Sequence, residues 1–157
     1  MTYTCELNVL TTLSVELTVK DAKSWTPANP LLDNVQGAII KLFTTQFSFD
    51  NNLPDFTATS DINGIAKFYD LPIDAQYFLV AEKGTLKNTI NGYIIAGVFQ
   101  TQAEIDTSPI QAGALVGGIK LLDLNGDGLV NNYDKIWHDQ IWVYEGETTT
   151  KTIIIGN

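Results

Sequence analysis

From Leu13 to Lys20 apolar and polar residues alternate without a break: Leu13, Val15, Leu17 and Val19 fall on one face, Ser14, Glu16, Thr18 and Lys20 on the other. A period of two marks a half-buried strand. Residues 21–34 are polar, contain Pro27 and Pro30, and read as a long loop. Val35 to Phe43 is a second apolar, strand-like run, and residues 57–60 a short one. Asp61-Ile62-Asn63-Gly64 forms a turn with glycine where positive φ is needed, and Ile65 to Tyr69 leaves it as the returning strand. Further strands are expected over residues 76–82, 93–100, 141–144 and 148–155, with Lys83-Gly84 and Asn91-Gly92 as punctuation and Pro109 and Gly113 ending a polar run. The pattern predicts a mostly β chain. No fixed-period repeat is visible, which argues against a solenoid or propeller.

One stretch departs from this pattern. Asp123, Asn125 and Asp127 place oxygen side chains two residues apart, followed by Gly128, Leu129, Asn131 and Asp134. A calcium loop of the EF-hand kind uses its first, third, fifth, seventh, ninth and twelfth positions, with glycine at the sixth. Those positions hold Asp123, Asn125, Asp127, the Leu129 carbonyl, Asn131 and Asp134, with Gly128 at the sharp turn. Calcium accepts six to eight oxygens, and this spacing lets one short loop wrap it. A polar turn needs only an Asn-Gly or Asp-Gly pair, so the spacing favours calcium. Val130 offers an apolar anchor. The residues after the loop predict one short helix, capped by Asn131 or Asn132, with Asp134 in its first turn. Tyr133, Ile136, Trp137 and Gln140 then share helical spacing.

The loop, with Asp in place of Glu at its end, resembles the dockerin type of calcium loop found in secreted bacterial proteins. A dockerin carries two such loops and binds a cohesin. The second candidate, starting at Asp61 and Asn63, has Ala66 and no later carboxylate in place, so cohesin binding is not carried over.

A second resemblance rests on Val35-Gln36-Gly37-Ala38 with Ile40 and Leu42, on residues 59–68 from Thr59 to Phe68, on Leu71-Pro72, and on Tyr77 to Val80. In that order these motifs are similar to the carboxypeptidase-regulatory-like domain. The closing stretches at 141–144 and 148–155 are similar to its last strands. The resemblance implies a transthyretin-like (prealbumin-like) β-sandwich of about seven strands and an accessory, non-catalytic role. Residues 1–157 would form a single such domain, with the calcium loop at 123–134 inserted before the closing strands.

Charge narrows the partners. Eighteen acidic residues against nine basic ones give a net charge of −9, which argues against nucleic acid, whose phosphates need a basic face. No apolar run approaches the roughly 18 residues of a membrane-spanning helix. Lone Cys5 cannot form an internal disulfide, and no apolar signal segment precedes it, so it reads as a small hydrophobe or free thiol, with a lipid-anchor site as the alternative. An extracellular or cell-surface location is expected, the signal segment being absent from the sequence as given.

Catalytic sets are missing from the sequence. There is no Gly-x-Ser-x-Gly elbow, phosphate loop or His-Glu-x-x-His motif, and His138 and Cys5 are far apart. His138 reads as a solvated residue. Trp137 is expected to pack on the sandwich, the alternative being a ligand platform. Trp25, in a loop with Pro27 and Pro30, either plugs one end of the sandwich or stacks on a sugar ring. The leading expectation is a non-catalytic surface module for adhesion or assembly with a structural calcium. A calcium-stabilised module for an extracellular glycan or protein ligand is the alternative, and a small-molecule carrier of the transthyretin kind a third.

Overall fold

A computed structural model describes residues 11–107 and 111–157. Cys5 and Pro109 lie outside the described residues. In chain order the first strands are β1 (Leu13–Asp21), β2 (Asp33–Asn34), β3 (Ile39–Phe43), β4 (Phe56–Thr59), β5 (Ile65–Tyr69) and β6 (Ala75–Lys83). They are followed by β7 (Leu86–Lys87), β8 (Thr89–Ile90), β9 (Tyr93–Val98), β10 (Ile119–Leu121), β11 (Asp139–Val143) and β12 (Thr149–Ile155). Two short α-helices, α1 (Gln46–Asp50) and α2 (Gln102–Thr107), interrupt them.

The alternation in β1 does what its period requires. Val15, Leu17 and Val19 are fully buried, and Glu16, Thr18 and Lys20 are half-buried on the opposite face. On one side β1 pairs in parallel with β12, from Val15 opposite Thr149 to Asp21 opposite Ile155. On the other side it pairs antiparallel with β5 and, at its end, with β2. The facing sheet runs β11-β6-β3-β4, all antiparallel, with β7 on the end of β6. Ile40, Leu42, Tyr77, Leu79, Ala81, Ile141 and Val143 point inward from this sheet and meet Val15, Leu17, Val19, Phe68, Ile153 and Ile155 of the other. The chain is therefore mostly β, and its two main sheets form a β-sandwich around one core. A third, three-stranded sheet, β10-β9-β8, contributes Val98 and Ile119 to a second apolar cluster with Ala22, Leu32, Trp25 and Ile154.

Several expectations need correction. The strand expected from Val35 begins only at Ile39, because Val35 N–H donates to Val19 O beside the β1–β2 pairing and the chain then turns at Gln36-Gly37, where Gly37 has φ of +76°. The helix expected after residue 131 is a single 3-10 turn, Asn132–Asp134. Beyond it, Ile136 and Trp137 donate their N–H groups to Gly92 O, at 2.9 and 3.0 Å. An α-helix would need those donors internally. The two α-helices lie elsewhere. Helix α1 is nucleated by Thr45, whose side chain accepts from Ser48 N–H while Ser48 Oγ takes the Thr45 N–H, a reciprocal cap.

Candidate functional site

The stretch 123–134 leaves β10 through Leu122, whose N–H donates to Ile94 O, and arrives at β11. Its five candidate side chains all fold back onto the loop's own backbone. Asp123 accepts from Gly126 N–H through Oδ1 and from Gly128 N–H through Oδ2, both at 2.9 Å. Asn125 Oδ1 accepts from Asp127 N–H at 3.0 Å, and Asp127 Oδ1 from Leu129 N–H at 2.9 Å. Asn131 Oδ1 caps the 3-10 turn through Tyr133 N–H at 2.9 Å. Gly126 and Gly128 have φ of +72° and +87°, with open space where a Cβ would stand. Both are glycine for backbone conformation and not for lack of room.

Asp134 is different in kind. It is 1% exposed, and its carboxylate gathers three amides: Leu124 (2.9 Å) and Asn125 (3.3 Å) on Oδ1, Asn131 (2.7 Å) on Oδ2. The Asn131 amide is the largest influence holding this carboxyl below its ordinary range; burial opposes it, and the Asn125 and Leu124 amides add to the lowering. The last candidate ligand thus ties the loop's end to its beginning.

The structure brings Asn125 and Asp127 side chains into contact, Nδ2 to Oδ2 at 3.1 Å, and Asn131 Nδ2 within 3.4 Å of the Leu129 carbonyl. Among the described residues no three of His, Cys, Asp and Glu converge as a metal-holding group, so Asp123, Asp127 and Asp134 share the loop without forming a three-carboxylate cluster. The donor set is nonetheless all oxygen, the chemistry of a hard cation.

The aromatic candidates are placed as follows. Trp25 is half-buried among Ala22, Leu32, Val98 and Ile154, and a Cβ on Gly117 would come within 2.9 Å of its ring. It packs, as the plugging reading expects. Trp137 is 59% exposed, contrary to the expectation that it packs into the sandwich. The expectation for His138 is overturned as well. It is buried, stacked on Phe78 and edge-on to Phe49. Burial pushes its pKa down, against smaller opposing effects of the Asp139 carbonyl and of the Asp139 and Asp50 charges. Sequence reasoning missed this pocket because Phe49, Phe78 and His138 are remote in the chain. Among the described residues no helix is long and apolar enough to cross a membrane.

Comparison with known proteins adds little. No family model matches the chain, and no curated protein matches it in sequence. Among solved structures it is similar to a variant of BcpA, the major pilin subunit of Bacillus cereus, with 17% identity and a TM-score of 0.42 over 94% of this chain. The match spans 30% of the pilin chain. At that level no residue and no function is carried across.

Proposed function

We propose that the chain is a non-catalytic, extracellular or cell-surface β-sandwich module for adhesion or surface assembly, stabilised by a calcium ion in the loop 123–134. The observation that carries this reading is the loop itself: Asp123, Asn125, Asp127, Asn131 and Asp134 lie in one closed turn, with Gly128 left-handed at the sixth position. The residues that would hold the ion are these five and the Leu129 carbonyl. That carbonyl accepts one long bond, at 3.4 Å, which leaves acceptor capacity. The ion would supply positive charge to a loop between β10 and β11 whose three carboxylates do not cluster by themselves. The motif order from Val35 to Val80 supports a transthyretin-like module of the carboxypeptidase-regulatory kind, with residues 1–157 as one unit. Calcium titration followed by calorimetry tests the reading. Wild type and Asp61→Ala should bind one ion, and Asp123→Ala none. A wild-type protein that takes up no calcium at millimolar concentration, roughly the weakest range for extracellular calcium modules, ends it.

A second reading, binding of an extracellular glycan, is favoured by one observation. Trp25 is committed to packing, but Trp137 is an exposed aromatic residue.

A further inference from the structure

We propose that a groove on the outer face of β3 and β6 binds a saccharide, with the indole of Trp137 as its stacking platform. The inference rests on the glycan reading and gives it a site. The groove has a volume of about 470 Å³, within the range of small-ligand sites. Its floor comes from the residues of β3 and β6 that alternate with the core set, including Lys41, Val80 and Glu82. Phe49 and Asn52 from the end of α1 line one part, and Thr89, Asn91 and Gly92 of the β8–β9 hairpin another.

Trp137 is held in place rather than left loose. Its φ is +68°, a left-handed conformation that a bulky residue rarely adopts. Two N–H groups, its own and that of Ile136, bond to Gly92 O. The indole lies against Gly92, where a Cβ would come within 2.8 Å of the ring carbons. One side of the ring is thus supported by backbone while 59% of the residue stays exposed. A fixed, exposed indole beside a groove offers an apolar face of the size of a sugar ring. Backbone outliers of this kind cluster at ligand-binding sites.

The polar groups select the ligand class. Lys41 Nζ lies 2.7 Å from Glu82 Oε1 and 3.3 Å from Asn52 Oδ1. The Lys41 ammonium is therefore already compensated, whereas Lys87, which also lines the groove, is exposed and has no carboxylate partner among the described residues, so its ammonium is a further donor there. The groove thus holds donors and acceptors side by side, joined by the Thr89 hydroxyl and the Asn91 amide. Such a set suits hydroxyl groups, each of which both donates and accepts. A polyproline peptide would need a groove lined by several exposed aromatic rings; here Phe43 is buried and Phe49 half-buried, leaving Trp137 as the exposed ring of the groove.

The test is calorimetric titration of the full chain with cello-, xylo-, manno- and chitohexaose up to about 10 mM, a weak-binding limit on the affinity scale. At least one should bind. Trp137→Ala should weaken it about tenfold or more, a loss of roughly 1.4 kcal/mol, whereas Trp142→Ala, at the far end of the same sheet, should leave it unchanged. Independently of any variant's folding, bound sugar should shift the Trp137 indole and the Thr89 and Asn91 amide resonances of the wild type. Absence of binding by all four sugars overturns both the inference and the glycan reading. Binding that survives Trp137→Ala, or shifts confined to Trp142 and Tyr144, overturns the site and leaves the glycan reading standing.

Discussion

His138 stacks on Phe78, with ring centroids 4.0 Å apart and planes inclined by 17°. Phe49 closes the pocket edge-on at 4.9 Å. Burial among these rings disfavours the charged imidazole, so the folded pKa lies below the value of about 6.5 expected in the unfolded chain. Below about pH 6.5 the unfolded chain therefore takes up a proton that the folded chain still refuses, and stability falls as pH drops. The melting temperature should decline between pH 7 and pH 5. His138→Phe, which keeps a ring in the stack, should lose that part of the slope. A variant with the wild-type slope would refute this origin.

Gly92 is buried under Trp137 with φ of +88°. Gly92→Ala meets two obstacles: a left-handed conformation and a ring already at contact distance. The conformational part alone costs about 1–2 kcal/mol, and displacing the indole adds to it. A total loss of about 2–3 kcal/mol is expected in denaturant unfolding, with a change in Trp137 fluorescence. Gly126→Ala shares the positive φ but has open space around its Cβ, so it should lose only the first part.

Lys151 stands on β12 opposite Leu17 and reaches across to Asp139 of β11, Nζ to Oδ2 at 2.5 Å. The pair links the two main sheets. The Asp139 side chain is 10% exposed and that of Lys151 35%. Lys151→Met leaves a nearly buried carboxylate with one amide partner, Gln140 N–H. Breaking a fully buried pair costs about 3–5 kcal/mol; solvent around Lys151 lowers this to an expected 1–3 kcal/mol. Adding Asp139→Asn to Lys151→Met should recover part of the loss, which a double-mutant cycle would show.

The elements that were legible in the sequence are those whose cause is local. The alternation fixes β1 because period and burial coincide from Val15 to Lys20, although at its start polar Ser14 is buried and Leu13 half-buried. Asp61-Ile62-Asn63-Gly64 specifies its turn through Asp61 Oδ1, which accepts from Asn63 and Ile65 N–H, and through Gly64 at φ of +74°. The missed features have remote causes. The parallel pairing of β1 with β12 joins residues about 134 apart in sequence, as from Val15 to Thr149, and no local pattern encodes it. The helix expected at Tyr133 to Gln140 was overridden by Gly92, whose carbonyl takes the amides it needed. In the loop, the spacing identified residues that do lie together, but it could not show that backbone amides would already occupy much of their acceptor capacity.

That occupancy separates the loop's carboxylates and yields the sharpest test of the calcium reading. Asp134 binds three amides and is buried, so it closes the loop with or without an ion. Asp127 is exposed and, among the described residues, accepts only from Leu129 N–H and the Asn125 side chain. Asp134→Ala should therefore destabilise the protein even in chelator, by about 1–3 kcal/mol, because the part-buried Leu124, Asn125 and Asn131 amides lose their shared acceptor. Asp127→Ala should do so chiefly when calcium is present, by removing the ion's contribution. Calcium at about 100 times its dissociation constant adds roughly 2.7 kcal/mol, which corresponds to about 5–10 °C for a chain of this size. Chelating wild type should lower the melting temperature by that amount and speed protease cutting within residues 120–140, where Leu124 and Leu129 are exposed. Asp127→Ala should melt near the chelated wild type and ignore added calcium, whereas Asp61→Ala should keep the full response. Identical melting of wild type in calcium and in chelator would remove the ion from the account and leave Asp134 as a purely structural clasp.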